Sequence, residues 1–116
     1  MKELNCVLSD KIIMPYLEGK EYIDCANEAE CVAIAGGYFL QTGERANVYF
    51  SADGLCNALN FLTSWIIPEN IEMNITISTG RTEPPHKVMT DILPALLELI
   101  PYDTKRIFIT TVGKKS

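Results

Sequence analysis

Two short runs rich in β-branched and aromatic residues, "ANVYFS" at 46–51 and "EMNITIST" at 72–79, are separated by one helix-length segment, "LCNALNFLTSWI". That spacing is the strongest constraint in the chain. A connection this long and this apolar cannot be a hairpin loop; it is the length of a helical crossover between parallel strands. The same alternation extends in both directions. Leu4 to Leu8 reads as a short strand, with Ser9 or Asp10 capping a helix that ends before Gly19. Glu21 to Ala26 is β-compatible and leads into a helix from Glu28 to about Thr42, stopped by Gly43. Pro68 ends the helix after residue 54. A further helix to about Ile100, bent at Pro94, precedes a last strand in "KRIFITTV". The pattern predicts an α/β protein: a three-layer α/β/α sandwich with a mostly parallel sheet, built as one domain over residues 1–116.

Composition narrows the function. A net charge of -5 with scattered Lys and Arg argues against a nucleic-acid binder, which needs clustered cations. No apolar run reaches the roughly 18 residues of a membrane span, and the start Met1-Lys2-Glu3-Leu4-Asn5 has no signal-peptide pattern. Cys6, Cys25, Cys31 and Cys56 show no C-x-x-C spacing and there is one histidine, so no metal site is expected. The cysteines read as buried thiols of a cytoplasmic protein.

In parallel α/β sheets ligands sit beyond the carboxyl ends of the strands. Three stretches meet that description: Ala26-Asn27-Glu28, Ser51-Ala52-Asp53-Gly54 and Gly80-Arg81-Thr82-Glu83. Asn27 is a suitable N-cap, and Glu30, three residues later, can complete a capping box by reaching the cap's backbone N–H. Glu28 is not needed for capping. Gly36-Gly37 lies mid-helix, where each glycine costs ~1 kcal/mol relative to alanine, which points to a close approach by another element. No Gly-rich phosphate-binding motif is present. Gly54-Leu55-Cys56-Asn57-Ala58 loosely imitates a nucleophile elbow. No aspartate lies between Cys56 and His86, so the nucleophile–Asp–His order of an elbow is not available downstream of Cys56, and a small thiol facing the core is the plainer account. His86 follows Glu83-Pro84-Pro85, where a surface or capping role is the ordinary one.

Three segments together, "NEAECVAIAGGYFLQTG", "VYFSADGLCNALNFLTSW" and "EPPHKVMTDILPALLEL", resemble the pyrimidine-binding domain of thiamine-diphosphate-dependent decarboxylases. The phosphonopyruvate and sulfopyruvate decarboxylases are the most similar branch. Order and spacing agree over roughly residues 20 to 100. The resemblance implies that Glu28 is the catalytic residue, sharing a proton with a ring nitrogen of the cofactor's aminopyrimidine. The cofactor then serves as electron sink for loss of carbon dioxide from a 2-oxo acid. It further implies that Asn27, Asp53, Gly54, Leu55 and Asn57 border the cofactor and that Arg81 and His86 face the substrate.

The chain also departs from the family. Ala52-Asp53 replaces Asn-Ser, Cys56 replaces a glycine, and the loop between Arg81 and Glu83 is shorter. The G-D-G motif of the domain that holds diphosphate and Mg2+ does not occur; the one Asp-Gly pair, Asp53-Gly54, belongs to a different motif. The resemblance therefore implies a homo- or hetero-oligomer completed by a diphosphate-binding domain or subunit. A dimer or higher assembly burying part of helix 28–42 is expected, because that helix is apolar nearly all round. The other reading is a non-catalytic descendant that keeps the same surface only to bind a protein partner.

Overall fold

The computed structural model describes residues 3–80, 83–84 and 86–114. Five strands form one sheet: β1 (Asn5–Val7), β2 (Ile23–Asp24), β3 (Ala46–Ser51), β4 (Met73–Ser78) and β5 (Ile107–Val112). Their order is β2-β1-β3-β4-β5, and every neighbouring pair is parallel. Three α-helices connect them: α1 (Glu28–Thr42), α2 (Leu55–Phe61) and α3 (His86–Leu99). The α/β class and the parallel sheet are those the sequence implied.

Topology decides how the two faces are covered. The steps β2→β3, β3→β4 and β4→β5 all run the same way across the sheet, while β1→β2 runs the other way. Right-handed crossovers then put α1, α2 and α3 on one face and the 8–20 connection alone on the other. Two separate core clusters agree. Cys6, Val48 and Ile75 are paired in register and share the larger core with Val32, Leu55, Leu62, Ile66 and Leu93 from the helices. Their chain neighbours Val7 and Tyr49 point the opposite way and pack with Ile13 and Leu17. The second outer layer is thus a single short segment over β1 and β3.

The remainder of the second face is correspondingly polar. Asn5, Asn47 and Asn74 are register partners and form a ladder. Asn47 Nδ2 donates to Asn5 Oδ1, and Asn74 Nδ2 donates to Asn47 Oδ1, both at 3.1 Å. Phe108, next in register to Asn74, is 58% exposed. Amide-to-amide bonding lets this stripe stay polar without leaving donors unmatched.

Three elements differ from the sequence expectation. The helix expected between residue 10 and Gly19 is a turn followed by a 3-10 helix, Met14–Leu17. Asp10 Oδ1 accepts from Ile12 N and Ile13 N at 2.8 and 2.7 Å, and Pro15 starts the short helix. A capped turn of this kind competes with regular helix. The strand read at residues 21–26 is limited to Ile23–Asp24, although Cys25 N still donates to Val7 O at 2.8 Å. The segment after residue 54 is one α-helix only to Phe61; Leu62–Ile66 is π-helical, with Ile67 N bonding to Leu62 O. Pro94 lies inside α3, as read.

The glycine pair in α1 separates into two cases. A Cβ on Gly36 would lie 2.7 Å from the Trp65 ring and 2.9 Å from Ile66, whereas one on Gly37 would meet nothing within 4 Å. Gly36 is therefore where α1 and the π-helical segment touch, and Gly37 carries only its backbone cost. Gly36→Ala should lower stability by about 1–3 kcal/mol through overpacking. Gly37→Ala should raise it by about 0.5–1 kcal/mol. Chemical denaturation of the two variants reads the opposite signs directly.

Candidate functional site

The carboxyl ends of β1, β2 and β3 deliver the first turn of α1 and the turn after β3 to the same edge. Asn27 has extended backbone angles and caps α1: its Oδ1 accepts from Glu30 N at 2.9 Å. Glu30 Oε1 accepts from Ala26 N at 2.8 Å, so the reciprocal bond reaches one residue further back than the expected Asn27 N–H. Both capping groups are exposed. Glu28, one helical position in, turns the other way and is 7% exposed.

Glu28 is held by α2 and the turn before it. Asn57 Nδ2 donates to Glu28 Oε1 at 3.0 Å. Among the described residues this is the one side-chain hydrogen bond to the carboxylate. No fully buried side-chain N or O among the described residues lacks a partner, so Oε2, which has none, reaches solvent. Gly54 makes room for it. A Cβ at Gly54 would lie 2.1 Å from Oε2 and 2.3 Å from both Cγ and Cδ. Gly54 has φ near -87°, an ordinary value, so it is the space and not the backbone angle that requires glycine here. Leu55 is fully buried and anchors α2 in the core.

A second pair stands at the same edge. His86 Nδ1 and Asp53 Oδ2 are hydrogen-bonded, both side chains partly buried. It joins the first residue of α3 to the 52–54 turn that carries Gly54. The structure thus brings together Glu28, Gly54 and Asn57, and beside Gly54 sets Asp53 with His86. Asn27 is committed to capping. Arg81 lies outside the described residues. Asp53–His86 had no sequence signal beyond each residue's placement after a strand, because the two are 33 positions apart.

The thiols divide unevenly. Cys6, Cys25 and Cys31 are buried near one another beneath the first turn of α1, whereas Cys56 is exposed, contrary to the core-facing thiol read from sequence. Cys56 starts the exposed stretch of α2 that also carries Asn57. Burial pushes the Cys6 thiol up from 9.0 to about 12, with Cys25 adding to it. Burial also raises Cys31, and a hydrogen bond with Cys25 adds to the effect. Cys25 is raised by burial as well, partly offset by its hydrogen bond with Cys31. Because the thiolate is the reactive form, one thiol per chain, Cys56, should react promptly with a disulfide reagent at neutral pH. The other three should react only on unfolding. The raised Cys6 value means that its protonated form favours the folded chain fully below about pH 9.0; that advantage is lost as pH rises toward 12.

No group of three His, Cys, Asp or Glu among the described residues could hold a metal ion. No helix among them is long and apolar enough to cross a membrane. No protein-family model matches the chain, and no curated protein matches it.

Proposed function

We propose that this chain is the pyrimidine-binding part of a thiamine-diphosphate-dependent decarboxylase acting on a small 2-oxo acid such as phosphonopyruvate or sulfopyruvate. The observation that carries the reading is the Glu28 carboxylate. It is buried at the carboxyl edge, fixed through one oxygen by Asn57, roofed onto a residue without a side chain, and left with one oxygen open. A carboxylate removed from water is costly unless hydrogen bonds or a charge partner offset the lost solvation, and with one bond from Asn57 Glu28 keeps an oxygen able to take a further partner. Plain helix-dipole stabilisation is already available to Glu30 at the surface.

The donor set fits the pyrimidine end of the cofactor. Glu28 Oε2 would share a proton with a ring nitrogen, and Asn57 would keep the carboxylate in the one rotamer that presents that oxygen. Gly54 excludes any side chain, and with it competing contacts, from the same space. When bound, thiamine diphosphate supplies the electron sink for loss of carbon dioxide. The chain offers no Gly-rich cradle for the diphosphate. A partner domain or subunit carrying that cradle and Mg2+ completes the site, making the working unit a homo- or hetero-oligomer in the cytoplasm.

The test is to mix the purified chain with a diphosphate-binding subunit, thiamine diphosphate and Mg2+, and to follow carbon dioxide release from 3-phosphonopyruvate and sulfopyruvate. Turnover by the mixture, with none by either component, is expected. The isolated chain should bind the cofactor with a Kd of about 1 mM or weaker, near -4 kcal/mol. Micromolar, Mg2+-dependent binding in calorimetry would place the diphosphate on this chain and overturn the division of labour.

A further inference from the structure

A second opening lies at the same edge, lined by Ser9, Asp10 and Lys11 after β1, Gly80 and Glu83 after β4, and Lys114 after β5. Its volume is about 580 Å³, within the roughly 300–1,000 Å³ typical of small-molecule sites. Glu28 is not among its lining residues. Three separate chain segments converge on it, so its charges are brought together by the fold alone.

Those charges are not equivalent. Asp10 is fully engaged by the protein. Its Oδ1 accepts from Ile12 N and Ile13 N, and its Oδ2 accepts from Ser78 Oγ at 2.9 Å. Three neutral donors stabilise its carboxylate, without removing its charge, and brace the β1 loop against the end of β4. Glu83 is exposed at the rim. Lys11 and Lys114 are exposed and have no hydrogen-bond or ion-pair acceptor among the described residues. Of the other described lysines, Lys20 and Lys87 are salt-bridged to Glu3 and Asp91, and Lys105, whose ammonium has no acceptor among the described residues either, does not line the opening. The mouth carries two carboxylates and two ammonium groups, and neither ammonium is bonded to a carboxylate among the described residues, so both are open to an incoming anion.

We propose that this opening is an oxyanion subsite in which Lys11 and Lys114 grip the tetrahedral head of a small acid, a phosphonate or sulfonate. On the decarboxylase reading, on which the identity of the acid rests, this is the end of the 2-oxo acid remote from the carbonyl. Ammonium groups on flexible stems suit this task, since they act as point charges and follow a head group of either kind. His86, expected from the family resemblance to face substrate, is bonded to Asp53 and does not line this opening. The lysines take over the recognition of the acid.

The experiment is a titration of the isotopically labelled chain with phosphonoacetate, sulfoacetate, inorganic phosphate and, at matched ionic strength, acetate, read by backbone amide NMR. Phosphonoacetate and sulfoacetate should give saturable shifts at Lys11, Gly80 and Lys114, and acetate should not. Inorganic phosphate shifting the same amides with equal affinity would show a bare anion site and overturn recognition of an organic acid. Lys11→Met with Lys114→Met should weaken binding at least tenfold while the remaining spectrum stays folded; Lys105→Met should leave it unchanged. Shifts spread over Lys20, Lys87 and Lys105, an unchanged affinity in the double variant, or no saturable shift at all would each sink the proposal. The same double variant separates the two readings. Turnover with unchanged KM would remove the subsite and keep the decarboxylase, whereas lysine-dependent binding without turnover in any mixture would do the reverse.

Discussion

Glu28→Gln should lower turnover of the assembled enzyme by roughly two to four orders of magnitude, the range for loss of a positioned acid–base group. The amide keeps the size of the carboxylate and can still bond to Asn57, but it cannot share a proton with a ring nitrogen. Stability of the isolated chain should hold or rise, because a charge at 7% exposure is replaced by a neutral group. Glu30→Gln is the matched control. It weakens the bond from Ala26 N and should cost about 1 kcal/mol or less, with little effect on turnover. Equal losses of activity in both variants would mean a damaged start of α1, and the role assigned to Glu28 would have to be withdrawn.

Gly54→Ala should be the most disruptive single methyl group in the site. The new Cβ falls 2.1–2.3 Å from three Glu28 atoms, well inside contact distance, so either the carboxylate or the 52–54 turn must move. Moving the carboxylate breaks the 3.0 Å bond from Asn57; moving the turn strains the Asp53–His86 pair. The expected cost is about 1–3 kcal/mol, with turnover reduced alongside. Glu28→Ala empties the space that the methyl group needs. The double variant Gly54→Ala with Glu28→Ala should therefore be less destabilised than the sum of the singles, a coupling visible in a double-mutant cycle by urea denaturation. Strict additivity would show that the two residues do not share this space.

Much of the fold is local and was written in local signals. Asn27 and Gly43 bound α1 because a capping side chain and a left-handed glycine act within a few residues of the helix ends. The β-branched runs at 46–51 and 73–78 give strands because their side chains alternate on a pleated surface. Glu28 stood out for a similar reason, as a first-turn acid that capping did not require. The sequence misled where two local preferences compete. Asp10 could start a helix or close a turn around Ile12 and Ile13, and in the structure it closes the turn.

What no local pattern contains is which side of the sheet a connection takes and which distant residues it brings into contact. Helix signals alone implied two covered faces. The strand order β2-β1-β3-β4-β5, with crossovers of one hand, sends all three α-helices to one face and leaves an asparagine ladder on the other. Cys56 is exposed because the phase of α2 is set by Leu55 and Ala58 packing inward, a tertiary choice its own neighbours could not specify. Sequence by itself determined a parallel α/β chain with a spare acid at a helix start. Only the tertiary structure placed Gly54 and Asn57 against that acid, paired Asp53 with His86, and brought Lys11 and Lys114 to one opening, because those residues are 26 to more than 100 positions apart in the chain.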